Sequence, residues 1–207
     1  MAALPDRIWV VGPCGSGKST LTRALATRQG VEPTHLDDIH WAPGWVERPE
    51  AEMHAALAPI VARPRWVIDG NYGIYRQRHL DRTDLTVWLD FPLRVTWPRL
   101  LWRGIRRSVS KESVCNGNRE SLWRTFCDRD SLLVYSIQTH GRRRRGLEEE
   151  LATRPHVRLR SQREVDRWLA GLGGEASGTG RQKCDERGGL GRSPEPPASE
   201  SISSHDP

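Results

Sequence analysis

Lysine is nearly missing from this chain. It occurs only at positions 18, 111 and 183, and arginine supplies the rest of the 32 cationic side chains. Positive charge therefore comes mostly as guanidinium, a planar fork suited to bidentate phosphate contact; a biased genomic base composition would enrich arginine equally. The four cysteines (14, 115, 127 and 184) form no CxxC pair and no metal-ligand spacing, which excludes a zinc ribbon and predicts a reduced, cytoplasmic chain. The opening MAALPDR has no apolar signal core, and no run of about 18 apolar residues occurs, so neither an export signal nor a membrane span is expected. There is no internal repeat. Large aliphatics are also missing from the end: residues 173–207 hold only Leu190 and Ile202 amid Gly, Ser and Pro. Such a stretch cannot bury enough apolar surface to offset its ordering entropy. A folded domain over 1–172 and a disordered tail over 173–207 are expected.

The charge divides at the same place. Residues 1–172 hold 28 Lys and Arg against 20 Asp and Glu, whereas the tail holds four against six. A basic folded part suits anionic partners: nucleotides, other phosphates or nucleic acid.

Along the folded part, strand and helix signals alternate. Arg7–Val11 is an apolar, β-branched run ending in Gly. The stretch 18–29 carries Leu21, Ala24 and Leu25 at helical spacing, with Gly30 placed to cap it. Thr34–Asp37 reads as a second strand. Pro49 opens a helix with Glu50 and Glu52 in its first turn, and Pro59 should shorten or bend it. Arg65–Asp69 and Leu85–Asp90 are continuous apolar runs, as strands covered on both faces should be. Helical stretches follow at about 93–108 and 119–153, the latter interrupted near Gly141. His156–Arg160 suggests a last strand and 162–171 a last helix. The alternation predicts an α/β fold with a parallel sheet and helices on both faces.

The strongest signal is Gly12-Pro13-Cys14-Gly15-Ser16-Gly17-Lys18-Ser19, a full match to G-x-x-x-x-G-K-[ST] placed between a strand and a helix. Glycines let successive amides point inward at phosphate oxygens. The helix start adds positive potential. Lys18 would neutralise the outer phosphates, the Ser19 hydroxyl would ligate Mg²⁺, and Thr20 would lie near the α-phosphate. The pattern implies a nucleoside triphosphate, without choosing between ATP and GTP.

Asp37, Asp69 and Asp90 close three predicted strands, and ligands of open parallel sheets bind beyond those ends. Asp37 or Asp38 suits the acceptor side, where a carboxylate takes a hydroxyl proton. Asp69, followed by Gly70 and Asn71, suits the metal side, and Asp90 is read as a capping or structural residue. Arg99, Arg103 and Arg107 share one helix face with Arg106 close by, and could close over a moving phosphoryl or form a solvated basic face. The run 142–145, followed by Glu148–Glu150, reads as surface pairing. Trp41 and Trp45 could stack on an acceptor ring. Trp66, Trp88, Trp97 and Trp102 read as core.

Taken together, GPCGSGKST, LDDIHWAPGW, VIDGNY and LDFP resemble a subgroup of adenylate-kinase-like P-loop kinases, some named DNA topology modulation proteins. The resemblance covers about residues 7–170. It implies a five-stranded parallel sheet in the order 2-3-1-4-5, with Gly15, Gly17, Lys18, Ser19 and Thr20 gripping ATP and Mg²⁺ and Asp37 or Asp38 serving a small-molecule acceptor. The residues themselves add Gly12, Pro13, Cys14 and Ser16 to the nucleotide cradle, place Asp69 with the metal, and put Trp41, Trp45, Gly70 and Asn71 on the acceptor side. Adenylate kinases continue their third strand as Asp-Gly-Phe-Pro-Arg; here Asp69-Gly70-Asn71-Tyr72-Gly73 lacks the Pro and the Arg. AMP is therefore disfavoured as acceptor, unless Arg76 or Arg78 substitutes. The expected activity is phosphoryl transfer from ATP to a small acceptor such as a nucleotide or nucleoside. The alternatives are a nucleotide-binding regulator that touches DNA, for which no DNA-reading motif is present, and an ATPase with water as acceptor.

Overall fold

The structure, a computed structural model, describes residues 4–110, 113–114, 116–119 and 132–172. The predicted tail lies outside them; the described residues belong to one compact unit. The strands β1 (Arg7–Val11), β2 (Pro33–His35), β5 (Trp66–Asp69), β6 (Leu85–Leu89) and β9 (His156–Leu159) form one sheet in the order β2-β5-β1-β6-β9. Every pairing in it is parallel. Counted along the chain, the order is 2-3-1-4-5, the expected P-loop kinase-type arrangement.

Strand periodicity sorts the core into two layers, because alternate residues face opposite sides. Ile8, Val10, Val67, Val87 and Leu89 face α1 (Lys18–Gln29) and α7 (Gln162–Gly171), meeting Leu21, Leu25, Ala26 and Val165. Trp9, Val11, Trp66, Ile68 and Trp88 face the other way, onto Leu36 of α2 (Leu36–His40), Met53 and Leu57 of α3 (Glu50–Val61), and Leu147 and Leu151 of α6 (Leu132–Leu151). Trp9 meets Trp66 edge-on at 5.9 Å, and its indole N–H donates to the Gly70 carbonyl at 3.2 Å. Buried indoles usually find a polar outlet for their N–H; that of Trp66 has no hydrogen-bond partner among the described residues.

Several elements differ from the sequence reading. The second strand stops at His35, because Leu36 and Ile39 turn inward at helical spacing onto the core; Asp37 is thus in the first turn of α2, not at a strand end. Helix α3 runs two residues past Pro59, whose missing amide falls in its last turns. Helix α6 passes through Gly141 without a break, and 120–131 lie outside the described residues. Trp102, read as core, is 69% exposed on the outer side of α5 (Leu93–Ser110). Three features had no sequence counterpart. Helix α4 (Gly73–His79) is seven residues long and starts on Gly. A small hairpin pairs β7 (Ser113–Val114) with β8 (Asn118–Arg119). A second two-residue pair, β3 (Trp41–Ala42) with β4 (Val46–Glu47), folds the Trp-bearing loop back on itself.

Candidate active site

The phosphate-loop motif joins the carboxyl end of central β1 to the start of α1, beside the ends of β5 and β6. Its conformation is fixed from both sides. Gly15 has φ +79°, and a Cβ there would come within 2.6 Å of the Thr96 carbonyl oxygen of α5, so any larger residue would push α5 off the loop. Ser16 N–H donates to the Pro13 carbonyl at 3.2 Å, closing the turn. Lys18 Nζ reaches back over the loop to the carbonyls of Gly12 (3.0 Å) and Pro13 (3.2 Å).

Helix α1 opens in an electrostatically unusual way. Its N-cap is Gly17, left-handed and without a side-chain cap, and its first turn holds no acid. The first amides of a helix lack intrahelical partners and carry a partial positive charge. Here Lys18 adds a full cation at the place where helices favour anions. Gly17, Ser19 and Thr20 are exposed at this end, while the buried Ser16 hydroxyl lacks a hydrogen-bond partner among the described residues. Concentrated donors without acceptors are what a polyphosphate would satisfy.

On α5, Leu100 lies 3.4 Å from the position of a Gly15 Cβ. Arg103 and Arg107 follow at i+3 and i+7, continuing the face that meets the loop. Arg103 Nε is buried with no hydrogen-bond partner among the described residues. Arg106 and Arg99 lie to one side, and Arg99 stacks over Phe91 at 5.6 Å. Of the predicted arginines, Arg103 and Arg107 are therefore the ones in register with the loop.

The carboxylates of Asp69, Asp37 and Asp90 are already engaged. Asp69 is 2% exposed, and its Oδ2 lies 2.7 Å from His35 Nδ1, the neighbouring residue in register on β2. That hydrogen bond raises the His35 pKa above the ordinary imidazole value against the opposing effect of burial. Asp37 accepts from the Tyr72 hydroxyl at 2.8 Å. Asp38 is exposed, and its backbone carbonyl accepts from Asn116 Nδ2 at 2.6 Å. Asp90 is held by Arg158 (2.7 Å) and Arg144 (3.1 Å), a structural arrangement.

Gly70 and Asn71 are spoken for too. A Cβ on Gly70 would sit 2.7 Å from Leu36 Cβ, so this glycine lets α2 close onto β5 and does not face an open acceptor space. Asn71 pairs with Gly12 in both directions: Gly12 N–H donates to Oδ1 at 3.0 Å, and Nδ2 donates to the Gly12 carbonyl at 2.5 Å. It thus splints the phosphate loop. Trp41 and Trp45 meet edge-on at 5.6 Å, and His40 contacts both Trp41 and Tyr72, so these rings form a cluster. Trp45 has φ +60°, a strained value for a bulky residue. Its N–H is held by Asn118 Oδ1 at 2.9 Å, while Asn116 Nδ2 donates to the Trp41 carbonyl at 2.7 Å and Asn118 Nδ2 to that of Ala42 at 3.0 Å. This asparagine grip was missed from sequence, although Asn116-Gly117 is a strong hairpin signal and both residues adopt positive φ.

A cavity of about 210 Å³ opens beside the loop. Gly12, Pro13 and Cys14 form one wall, Asn71 and Arg76 another, and α6 covers it with Tyr135, Thr139, Arg143 and Arg144. The run 142–145 is therefore not purely surface pairing: Arg143 and Arg144 line this cavity, even though Arg144 also approaches Glu148 at 4.0 Å. Arg76, which the sequence offered as a stand-in for the missing acceptor arginine, is buried against Glu150. Among the described residues no cluster of three or more His, Cys, Asp or Glu could hold a metal by itself, and no helix is long and apolar enough to cross a membrane.

No family model matches the chain, and no curated protein matches its sequence. Among solved structures, a gluconokinase from Sinorhizobium meliloti 1021 is similar at 20% sequence identity and a TM-score of 0.45, over 83% of this chain and 95% of that one. The fold assignment rests on the strand order and the loop that leaves its central strand.

Proposed function

We propose that the chain is an ATP- and Mg²⁺-dependent phosphotransferase acting on a small acceptor. The observation that carries this reading is the uncapped, lysine-led start of α1 beneath the glycine loop. That site is costly to leave without an anion and is shaped by α5 to keep its curl. Lys18 leaves its loop carbonyls to meet the outer phosphates, and the loop amides hold the rest. Arg103 and Arg107 approach from the helix face that touches Gly15, with Arg106 a weaker candidate. For the metal, the Ser19 hydroxyl is exposed at the helix start and would be a ligand, while Asp69, buried and held through Oδ2 by His35, is the carboxylate proposed to serve it. Mg²⁺, when bound, would offset phosphate charge. Asp37 or Asp38 is the proposed partner of the acceptor hydroxyl, with Tyr72 holding Asp37 in place, although neither aspartate lines the cavity beside the loop.

The DNA-binding alternative has no DNA-reading motif behind it. Arg7, Arg76, Arg144, Arg154 and Arg158 are held by Asp or Glu partners, which leaves the net positive charge of the folded part unchanged. Salt-sensitive DNA binding that survives Lys18→Ala would favour that alternative. The test of the main reading is calorimetry followed by a phosphotransfer screen. Magnesium-dependent ATP or GTP binding, lost in Lys18→Ala, is expected. Well-folded protein with no such affinity would overturn the proposal.

A further inference from the structure

Resting on the phosphotransferase reading, we infer that the acceptor is a hydroxyl compound carrying no phosphate of its own, and that Glu150 sets this preference by occupying Arg76. A kinase that takes a phosphorylated acceptor needs a cation, placed across from the phosphate loop, that is available to a second dianion. Arg76 is the one α4 residue positioned for this: it lines the cavity beside Gly12–Cys14. Its fork is already filled. Nε donates to Glu150 Oε1 at 2.6 Å and Nη2 to Oε2 at 2.7 Å, with side chains only 5% and 11% exposed. Gln77 adds a further donor to Oε2 at 3.2 Å. Freeing Arg76 for a ligand would leave the Glu150 charge buried and unpaired, a penalty on the order of 10²–10³-fold in affinity. Arg78, the other substitute, is exposed and does not line the cavity.

The remaining charges agree. The cavity walls carry three guanidinium groups (Arg76, Arg143, Arg144) against two carboxylates (Asp90, Glu150). Arg144 lies 3.1 Å from Asp90, and Arg143 stacks over the Tyr135 ring at 4.9 Å while donating to its hydroxyl. Arg143 is the one lining guanidinium with no carboxylate beside it among the described residues, and the Tyr135 ring and hydroxyl hold it in place. The neutral part of the lining (Gln77, Ser136, Thr139, Tyr135) over the Trp88 and Leu147 floor is the chemistry that recognises hydroxyls on a compact ring or chain. In the transfer, the acceptor oxygen bonds to the γ-phosphorus and the bond from that phosphorus to the β,γ-bridging oxygen breaks. The diphosphate leaves with that electron pair, and the hydroxyl proton is released to water.

The test has two arms, both on the full chain. In the first, protein saturated with a nonhydrolysable ATP analogue and Mg²⁺ is titrated with inorganic phosphate and with AMP. Neither should bind below the millimolar range in the wild type, and Glu150→Gln, by releasing Arg76, should tighten both at least tenfold. Wild-type binding of either at micromolar concentration would overturn the inference. So would an unchanged affinity in a folded Glu150→Gln protein; if that variant does not fold, the wild-type titration decides. In the second arm, phosphotransfer is compared across matched pairs, nucleoside against nucleoside monophosphate and sugar against sugar phosphate. Preference for the phosphate-free member supports the inference, and preference for the phosphorylated one overturns it. If no pair reacts, the phosphotransferase reading fails and takes the acceptor inference with it; the first arm, which needs no turnover, still tests the Arg76–Glu150 device.

Discussion

The two walls of the candidate site are made of different material. The phosphate side is built from main chain: a glycine turn, the open amides of α1, and one lysine folded over two carbonyls. The proposed acceptor side is built from side chains that hold one another, Arg76 on Glu150 and Tyr72 on Asp37. A backbone cradle is set by a short local sequence. A side-chain wall depends on partners that are far apart along the chain, 74 residues in the case of Arg76 and Glu150. The two walls should therefore fail differently when damaged: the acceptor wall through stability, the phosphate wall through function.

The largest expected effect tests the acceptor wall. Arg76→Ala removes one partner of a buried ion pair and strands the other, which typically costs about 3–5 kcal/mol. Urea unfolding should show that loss with little change in the denaturant slope. A change below about 1 kcal/mol would mean that the pair is open to water and that the contrast between the walls is overstated.

Lys18→Ala should do the opposite. Lys18 touches only loop carbonyls and is half-buried, so the melting temperature should barely move. Loss of a charge aimed at a transferring group lowers turnover on the order of 10²–10³-fold. A Lys18→Ala protein that unfolds as readily as Arg76→Ala would remove the distinction.

This contrast also explains what the sequence disclosed. The loop, α1 with its Gly30 cap, and the buried strands were legible because each rests on local spacing: Gly12 to Ser19, Leu21 to Leu25, the apolar run from Arg7 to Val11. The second strand was misjudged because Leu36 is apolar in either reading; only its packing against Gly70 decides that the chain turns there. Helix α4 was invisible because its anchor, the bond from Arg76 to Glu150, joins distant parts of the chain. Asp69 and Asn71 were read as metal-side and acceptor-side residues, whereas what holds them, His35 and Gly12, are partners that no spacing rule connects.

Asn71 sits where the two walls join, so its removal should show an intermediate effect on both measures. Asn71→Ala leaves the Gly12 amide and carbonyl without their reciprocal partner, and a lost buried hydrogen-bonding group typically costs about 1–3 kcal/mol. If Asn71 splints the loop, nucleotide affinity should fall along with stability. If it faced the acceptor instead, nucleotide affinity would stay at the wild-type level.

The smallest effect belongs at the opposite end of the strands, where neither wall is involved. Arg7 donates to Asp84 through its backbone amide at 2.9 Å and through its guanidinium at 2.6 Å, tying the start of β1 to the entry of β6. These bonds hold the Asp84 pKa below the ordinary carboxylate range. A depressed folded-state value means that the pair stabilises fully above the unfolded carboxylate pKa, near 4, and that this contribution fades as pH falls through the lower folded value. Asp84→Asn should therefore melt slightly earlier than wild type at neutral pH and converge with it in strong acid. Both side chains are about a third exposed, so salt should shrink the difference as well. Nucleotide affinity should not change at any pH where both proteins are folded. If it did, the loop would be coupled to the far end of its own strand, and the phosphate wall could no longer be treated as a local, backbone-built object.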